Sequence, residues 1–194
     1  MLLKEKLKGK KILLASKSPR RHYLLKELGL EFELFDINVD EDYPDKLKRE
    51  SIPLFLSKLK AEAAKSSLNE HEIVITADTI VWIGDMVLNK PKDLFEAKLM
   101  LNRLSGKMHE VITAVSINST IKTTSFYVVT EVWFKSLRAE EIDYYVEQFK
   151  PLDKAGAYGA QEWIGYIGVE KMNGSYFNVM GLPLHELYEE LLVF

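Results

Sequence analysis

The run Ile73-Val74-Ile75-Thr76-Ala77-Asp78-Thr79-Ile80-Val81-Trp82-Ile83 is nearly continuous in apolar and β-rich residues. It does not alternate, so it reads as a strand covered on both faces, the kind found where helices pack on a sheet. Asp78 interrupts it. A carboxylate within such a strand must be paired, bind a metal or carry a raised pKa, because burying it bare is costly. A structural ion pair with a neighbouring Arg or Lys would account for it, and so would a catalytic role. Gly84-Asp85 then turns the chain, and Met86 to Leu88 returns as a hairpin strand.

In the stretch Ile12-Leu13-Leu14-Ala15-Ser16-Lys17-Ser18-Pro19-Arg20-Arg21, a short buried strand delivers the chain into a helix. Ser18 stands where an N-cap belongs, and Pro19 at the first helical position lacks only an N–H that the helix leaves unpaired. Tyr23, Leu24, Leu25 and Leu28 give the helix an apolar face, and Gly29 supplies a left-handed stop. Arg20 and Arg21 fall in the first turn, where cations oppose the helix dipole. An anion held by the free N–H groups and the guanidinium forks accounts for them; two surface arginines after an ordinary cap is the alternative. The stretch has neither a Walker ending nor G-x-G-x-x-G.

Leu30 to Val39 reads as a strand ending in Asp40-Glu41-Asp42, an acidic cluster that suits either a divalent cation or a solvated loop. Ser51 to Ala64 has helical spacing, with Leu54, Phe55, Leu59 and Ala63 expected on the apolar side. Lys58, Lys60 and Lys65 read as polar-face residues, and position alone does not single out Lys60. Lys90-Pro91-Lys92-Asp93 leads into a helix with Asp93 as N-cap and Glu96 as its capping-box partner. That helix buries Leu94, Ala97, Leu101 and Leu104 and ends at Ser105-Gly106. His109 to Ile117 and Ser125 to Lys135 read as strands, and Ala139 to Phe149 as an amphipathic helix. His109 reads as a scaffold residue and His22 as surface. Pro151 to Gln161 is rich in small residues, which lets backbone approach a ligand closely. A final helix opens at Gly181-Leu182-Pro183. Helices and strands alternate early and paired strands follow, so the expected class is α/β with a mixed sheet.

With 194 residues, 47% hydrophobic and 28% charged, the chain is of single-domain size and can build a core. A net charge of −3 argues against non-specific nucleic-acid binding, so a positive site would be local and suited to a small anion. The absence of cysteine removes thiolate chemistry and suits a reducing compartment. Met1 to Lys11 carries five lysines and no apolar core of signal-peptide length. No apolar run approaches the roughly 20 residues of a membrane helix. A cytoplasmic location without membrane or nucleic-acid partners is the expectation.

Taken together, these residues resemble the Maf family of nucleoside triphosphate pyrophosphatases. The matching blocks are Leu14 to Arg21, Ala77-Asp78-Thr79, Lys90-Pro91, Leu104-Ser105-Gly106 with His109, Val111 and Thr113, Asp153 to Gln161, and Asn178 to Leu184. They occur in family order over nearly the whole chain; Ala160, where Ile is frequent, is a mild departure. The resemblance implies one domain over residues 1–194, with a two-lobed α/β fold like that of inosine triphosphate pyrophosphatases and the substrate in the cleft between lobes. It implies Mg or Mn, and hydrolysis of a nucleoside triphosphate to monophosphate and pyrophosphate. By position, the family's catalytic residues fall on Asp78, Glu41 and Lys90, and its substrate-binding residues on Arg20, Arg21 and Lys60. Glu41 and Asp78 would be the metal ligands, with Asp78 either general base or ligand. Thr79 and Gln161, with Arg20, match the branch that prefers dTTP and UTP. Other readings are a house-cleaning enzyme for modified nucleotides, or a nucleotide-binding regulator of septum formation or cell division. A homodimer is expected from the family alone.

Overall fold

The computed structural model describes residues 2–194. In chain order its elements are α1 (Leu3–Lys6), β1 (Lys11–Leu14), α2 (Pro19–Glu27), β2 (Phe32–Leu34), α3 (Ser51–Lys65), β3 (Glu72–Ile83), β4 (Met86–Leu88) and α4 (Leu94–Leu104). There follow β5 (Met108–Asn118), β6 (Thr123–Phe134), α5 (Ala139–Phe149), α6 (Trp163–Gly168), β7 (Val169–Asn173), α7 (Tyr176–Met180) and α8 (Leu184–Val193). The strands form one seven-stranded mixed sheet in the order β2-β1-β3-β5-β6-β7, with β4 on β3 off that path. β1 runs parallel to both β2 and β3, whereas β4 is antiparallel to β3 and β7 to β6. The α/β class with a mixed sheet is the one the chain adopts. No helix among the described residues is long and apolar enough to cross a membrane.

The chain divides into two compact units. The first comprises the chain up to Asp78 together with Thr113–Val128 and Gly181–Phe194. Its β1 is buried because Ile12, Leu13 and Leu14 are apolar in succession between two parallel neighbours. α2 begins at Pro19, but the Ser18 side chain makes no cap; instead the Ser18 N–H donates to Ser16 Oγ. Tyr23, expected on the apolar face of α2, is exposed, and the burial falls to Leu24 and Leu25. Gly29 takes the expected positive φ of 77°.

Two expectations in this unit need correction. The strand over Leu30 to Val39 shrinks to Phe32–Leu34. Beyond one further ladder bond, from Phe35 N–H to Leu14 O, β1 offers no more partners. Phe35 and Ile37 then pack as irregular chain on Leu13, Ala15, Ala64 and Val74, so their apolar character serves packing and not pairing. The buried face of α3 is also rotated from the one expected. Ile52, Leu56, Ser57, Lys60, Ala61 and Ala64 are buried, while Phe55 and Ala63 are exposed and Leu54 and Leu59 half-buried. Both stripes have helical spacing. The buried one carries Ala61 and Ala64, whose small size lets the helix lie close to the sheet, and it takes Lys60 inside with it.

The second unit comprises Thr79–Ile112 and Val129–Met180. Its core joins Val81 and Leu88 to Ala97, Leu101 and Leu104 of α4, and to Ile142, Tyr145 and Val146 of α5. Asp93 caps α4 as expected, accepting the Glu96 N–H at 2.7 Å. The reciprocal half of the box is shifted by one residue, since the Glu96 carboxylate takes the Lys92 N–H at 2.7 Å. In the small-residue stretch, what comes close is the unit's own side chains. An added Cβ at Gly156 (φ +67°) would lie 2.9 Å from Val81, and at Gly159 2.9 Å from the Glu162 carboxyl. The short elements α6, β7 and α7 have too little periodicity to be read from sequence. Gly165 of α6 is required, because a Cβ there would lie 2.1 Å from the Ala160 carbonyl oxygen.

Candidate active site

Lys60 and Asp78 meet because their elements are fastened together just upstream. Thr76, two residues before Asp78 and on the same face of β3, donates its hydroxyl to the Ser57 carbonyl at 2.7 Å. Ser57 lies three residues before Lys60 on the buried stripe of α3. Its hydroxyl donates to Leu54 O and receives one from Ser116, which also pairs with Ser125 at 2.8 Å. These hydroxyls were not picked out in the sequence, where Ser and Thr within helices and strands carry no distinctive pattern. With the helix so registered, the Lys60 ammonium reaches Asp78 Oδ1 at 2.7 Å and Glu41 Oε1 at 2.9 Å.

Lys60 and Asp78 are both 8% exposed, whereas the Glu41 side chain is 53% exposed. Burial pushes the Asp78 carboxyl above the ordinary carboxylate range; Lys60, and then Arg21, pull against this, and Glu41 adds to the rise. Of the acidic cluster, Asp40 takes the Asp42 N–H in a local turn and Glu41 is the member directed to Lys60. Among the described residues no group of three or more His, Asp or Glu side chains converges in a way that would hold a metal. Glu41 and Asp78 therefore make a pair of oxygen donors and not a closed cage. That is the donor set Mg uses when substrate phosphates supply further ligands.

The two arginines differ. Arg21 is half-buried, and its guanidinium donates to Gly181 O at 2.8 Å, Ala77 O at 3.0 Å and Ser16 Oγ at 3.4 Å. Burial lowers its pKa, an effect opposed by Asp78 and enlarged by the neighbouring Arg20 charge. Arg21 thus clamps the β1–α2 turn to the residue before Asp78 and to the chain entering α8. Arg20 is half-buried in the first turn of α2. His22, expected at the surface, is also half-buried, with Nε2 2.5 Å from the Ser16 carbonyl oxygen.

Thr79, Lys90 and Gln161 belong to the second unit. Thr79 follows Asp78 on β3 and so projects from the opposite face of the strand. Lys90 is exposed, makes no ion pair among the described residues, and lines a pocket of about 300 Å³ with Leu88, Lys92, Met100 and Arg103. The Gln161 side-chain oxygen is buried without a hydrogen-bond partner. Its loop is anchored beside it: Lys154 Nζ lies 3.1 Å from Glu162 Oε1, Glu162 accepts from Tyr145 OH, and Tyr145 OH accepts the Gly159 N–H at 3.1 Å.

His109 is a scaffold residue as expected. It is 1% exposed, pairs through Nε2 with Tyr158 OH at 2.7 Å and meets Phe134 edge-on. Burial pushes its pKa from 6.5 down to about 3. Between those values the unfolded chain takes up a proton that the folded chain refuses, so stability falls as pH falls. His109→Gln should flatten this acid limb in urea denaturation followed against pH. An unchanged slope would remove His109 as its source.

A family model described as Maf-like protein matches residues 11–194. The chain is 52% identical to the dTTP/UTP pyrophosphatase of Phocaeicola vulgatus over 96% of this chain and 97% of that one. Identity to the dTTP/UTP pyrophosphatase of Parabacteroides distasonis is 52%, over the same shares. The Flavobacterium johnsoniae protein of that name is 50% identical over 98% of both chains. Among solved structures, the Staphylococcus aureus Ham1 protein gives a TM-score of 0.42 at 19% identity, over 64% of this chain and 72% of that chain. Matched over most of its length and half identical to these relatives, the chain belongs to the Maf-like protein family.

Proposed function

We propose that this protein is a nucleoside triphosphate pyrophosphatase that hydrolyses dTTP and UTP to the monophosphate and pyrophosphate, assisted by Mg or Mn. The relatives of about 50% identity bear that activity in their names. The observation that carries the reading is the buried Asp78 carboxylate, held by Lys60 and joined through it to Glu41. A carboxylate whose burial raises its basicity is suited to take a proton from an attacking water. Alternatively Asp78 is a ligand, and Glu41 and Asp78 would hold the cation, which when bound supplies charge neutralisation at the phosphates. Arg20, Lys60 and Lys90 spread positive charge along the triphosphate as charge moves onto the pyrophosphate leaving group. Arg21 holds the main chain beside Asp78.

Thr79 and Gln161 read the base. The unpartnered Gln161 oxygen is an acceptor, and thymine and uracil carry an N3–H donor where cytosine has an acceptor. A site whose buried polar groups are left unpaired by the wrong base rejects it strongly. The test is product identification from a nucleotide panel with Mg or Mn. Pyrophosphate with TMP or UMP, and little turnover of CTP, is the expected result. Release of single phosphate would place the attack at the γ position and overturn the reading.

A further inference from the structure

In the first unit the Lys60 ammonium lies between two carboxylates, with the Arg21 guanidinium charge acting on both. Lys60 Nζ is shared between Asp78 Oδ1 at 2.7 Å and Glu41 Oε1 at 2.9 Å, so both oxygens point at one position, and that position already carries a positive charge. A divalent cation bridging the same two carboxylates through these oxygens would need the space that the ammonium fills. Ammonium and cation repel each other at such range, so they are alternatives and not neighbours. The fixed charge of Arg21 cannot change places, because its fork is engaged by the Ala77 and Gly181 carbonyls. Lys60 can. Its ammonium ends a flexible stem with three rotatable donors, and the Glu41 side chain that it meets is exposed.

We propose that Lys60 is the resident counter-ion of Glu41 and Asp78 in the nucleotide-free protein, and that a divalent cation gains these carboxylates by displacing its ammonium. The displaced ammonium needs a new anion, and the triphosphate supplies it. Cation and nucleotide therefore enter together, and the cation binds weakly without nucleotide. This rests on reading the site as a metal-assisted nucleotide site, but it makes a claim about Lys60 that needs no turnover to test.

The measurement is Mn²⁺ binding followed by electron paramagnetic resonance, without nucleotide, on the native protein and on Lys60→Met and Lys60→Gln. Removing the competing charge should tighten Mn²⁺ binding by at least about tenfold. Mn²⁺ should also raise the melting temperature of the variants more than that of the native protein. Lys60→Gln removes the charge but keeps a polar hydrogen-bond donor, so it isolates the charge if Lys60→Met folds poorly. Adding Asp78→Asn to Lys60→Gln should abolish the gain. Equal or weaker Mn²⁺ binding by Lys60→Gln, or tight binding by the native protein alone, would overturn the proposal. Failure of the native protein to release pyrophosphate from any nucleotide would instead remove the enzymatic reading and leave the Mn²⁺ competition as measured.

Discussion

Asp78→Asn is expected to lower the rate of pyrophosphate release by about 10³-fold or more while the protein stays folded. The rate estimate follows from the loss of a positioned general base, a group that typically supplies 10²–10⁴-fold. Asn has nearly the same shape and retains an oxygen that can accept the Lys60 N–H, so the packing of β3 against α3 need not change. What it lacks is basicity and charge. Removing one partner of a buried ion pair usually destabilises by about 3–5 kcal/mol, because the other charge is stranded. Here the stranding is incomplete, since Lys60 keeps Glu41 at 2.9 Å. Asp78 also resists ionisation, its pKa being raised by burial. A raised carboxyl pKa contributes stability below the unfolded value that is lost as pH rises through the folded one. The neutral amide escapes that loss, so the net change in stability at neutral pH should be small. Thermal melts beside a pyrophosphate assay would check both halves. A variant that keeps more than a tenth of native activity would show that Asp78 is not the base, and one that unfolds would show that the pair is structural.

Much of the framework was legible because it is local. The Asp93 cap, the α5 boundaries, the hairpin at Gly84-Asp85 and the buried run of β3 all follow from spacing and turn chemistry within about a dozen residues. Asp78 stood out because a charge in a doubly covered strand breaks a pattern. Lys60 did not, for a physical reason: α3 has two overlapping apolar stripes, and only the fit of Ala61 and Ala64 against the sheet selects between them. Once that phase is set, Lys60 is buried and its partner is almost dictated. Glu41 was visible only as one of three adjacent acids, and the choice among them depends on how the loop after β2 returns to α3. The pairing of Arg20 with Arg21 suggested one shared task, whereas the hydrogen bonds of Arg21 run to carbonyls distant in sequence.

That last difference gives a sharp expectation. Arg21→Ala should destabilise the protein by about 3–6 kcal/mol, because hydrogen bonds from a charged donor are each worth about 1.5–3 kcal/mol and two carbonyls lose theirs. For a chain of this size that corresponds to a melting temperature lower by roughly 6–24 °C. Arg20→Ala should act on the substrate, raising KM for the triphosphate by about tenfold, the equivalent of one charge-assisted contact. Arg21→Lys sharpens the test. It preserves the positive charge near Asp78 but cannot fork between Gly181 O and Ala77 O, which are bonded at 2.8 and 3.0 Å in the native protein. If the charge alone matters, Lys restores both stability and activity. If the clamp matters, Arg21→Lys melts nearly as early as Arg21→Ala, and its residual activity falls because the segment carrying Ala77 and Asp78 is no longer held. A melting temperature of Arg21→Ala equal to that of the native protein would argue against the clamp.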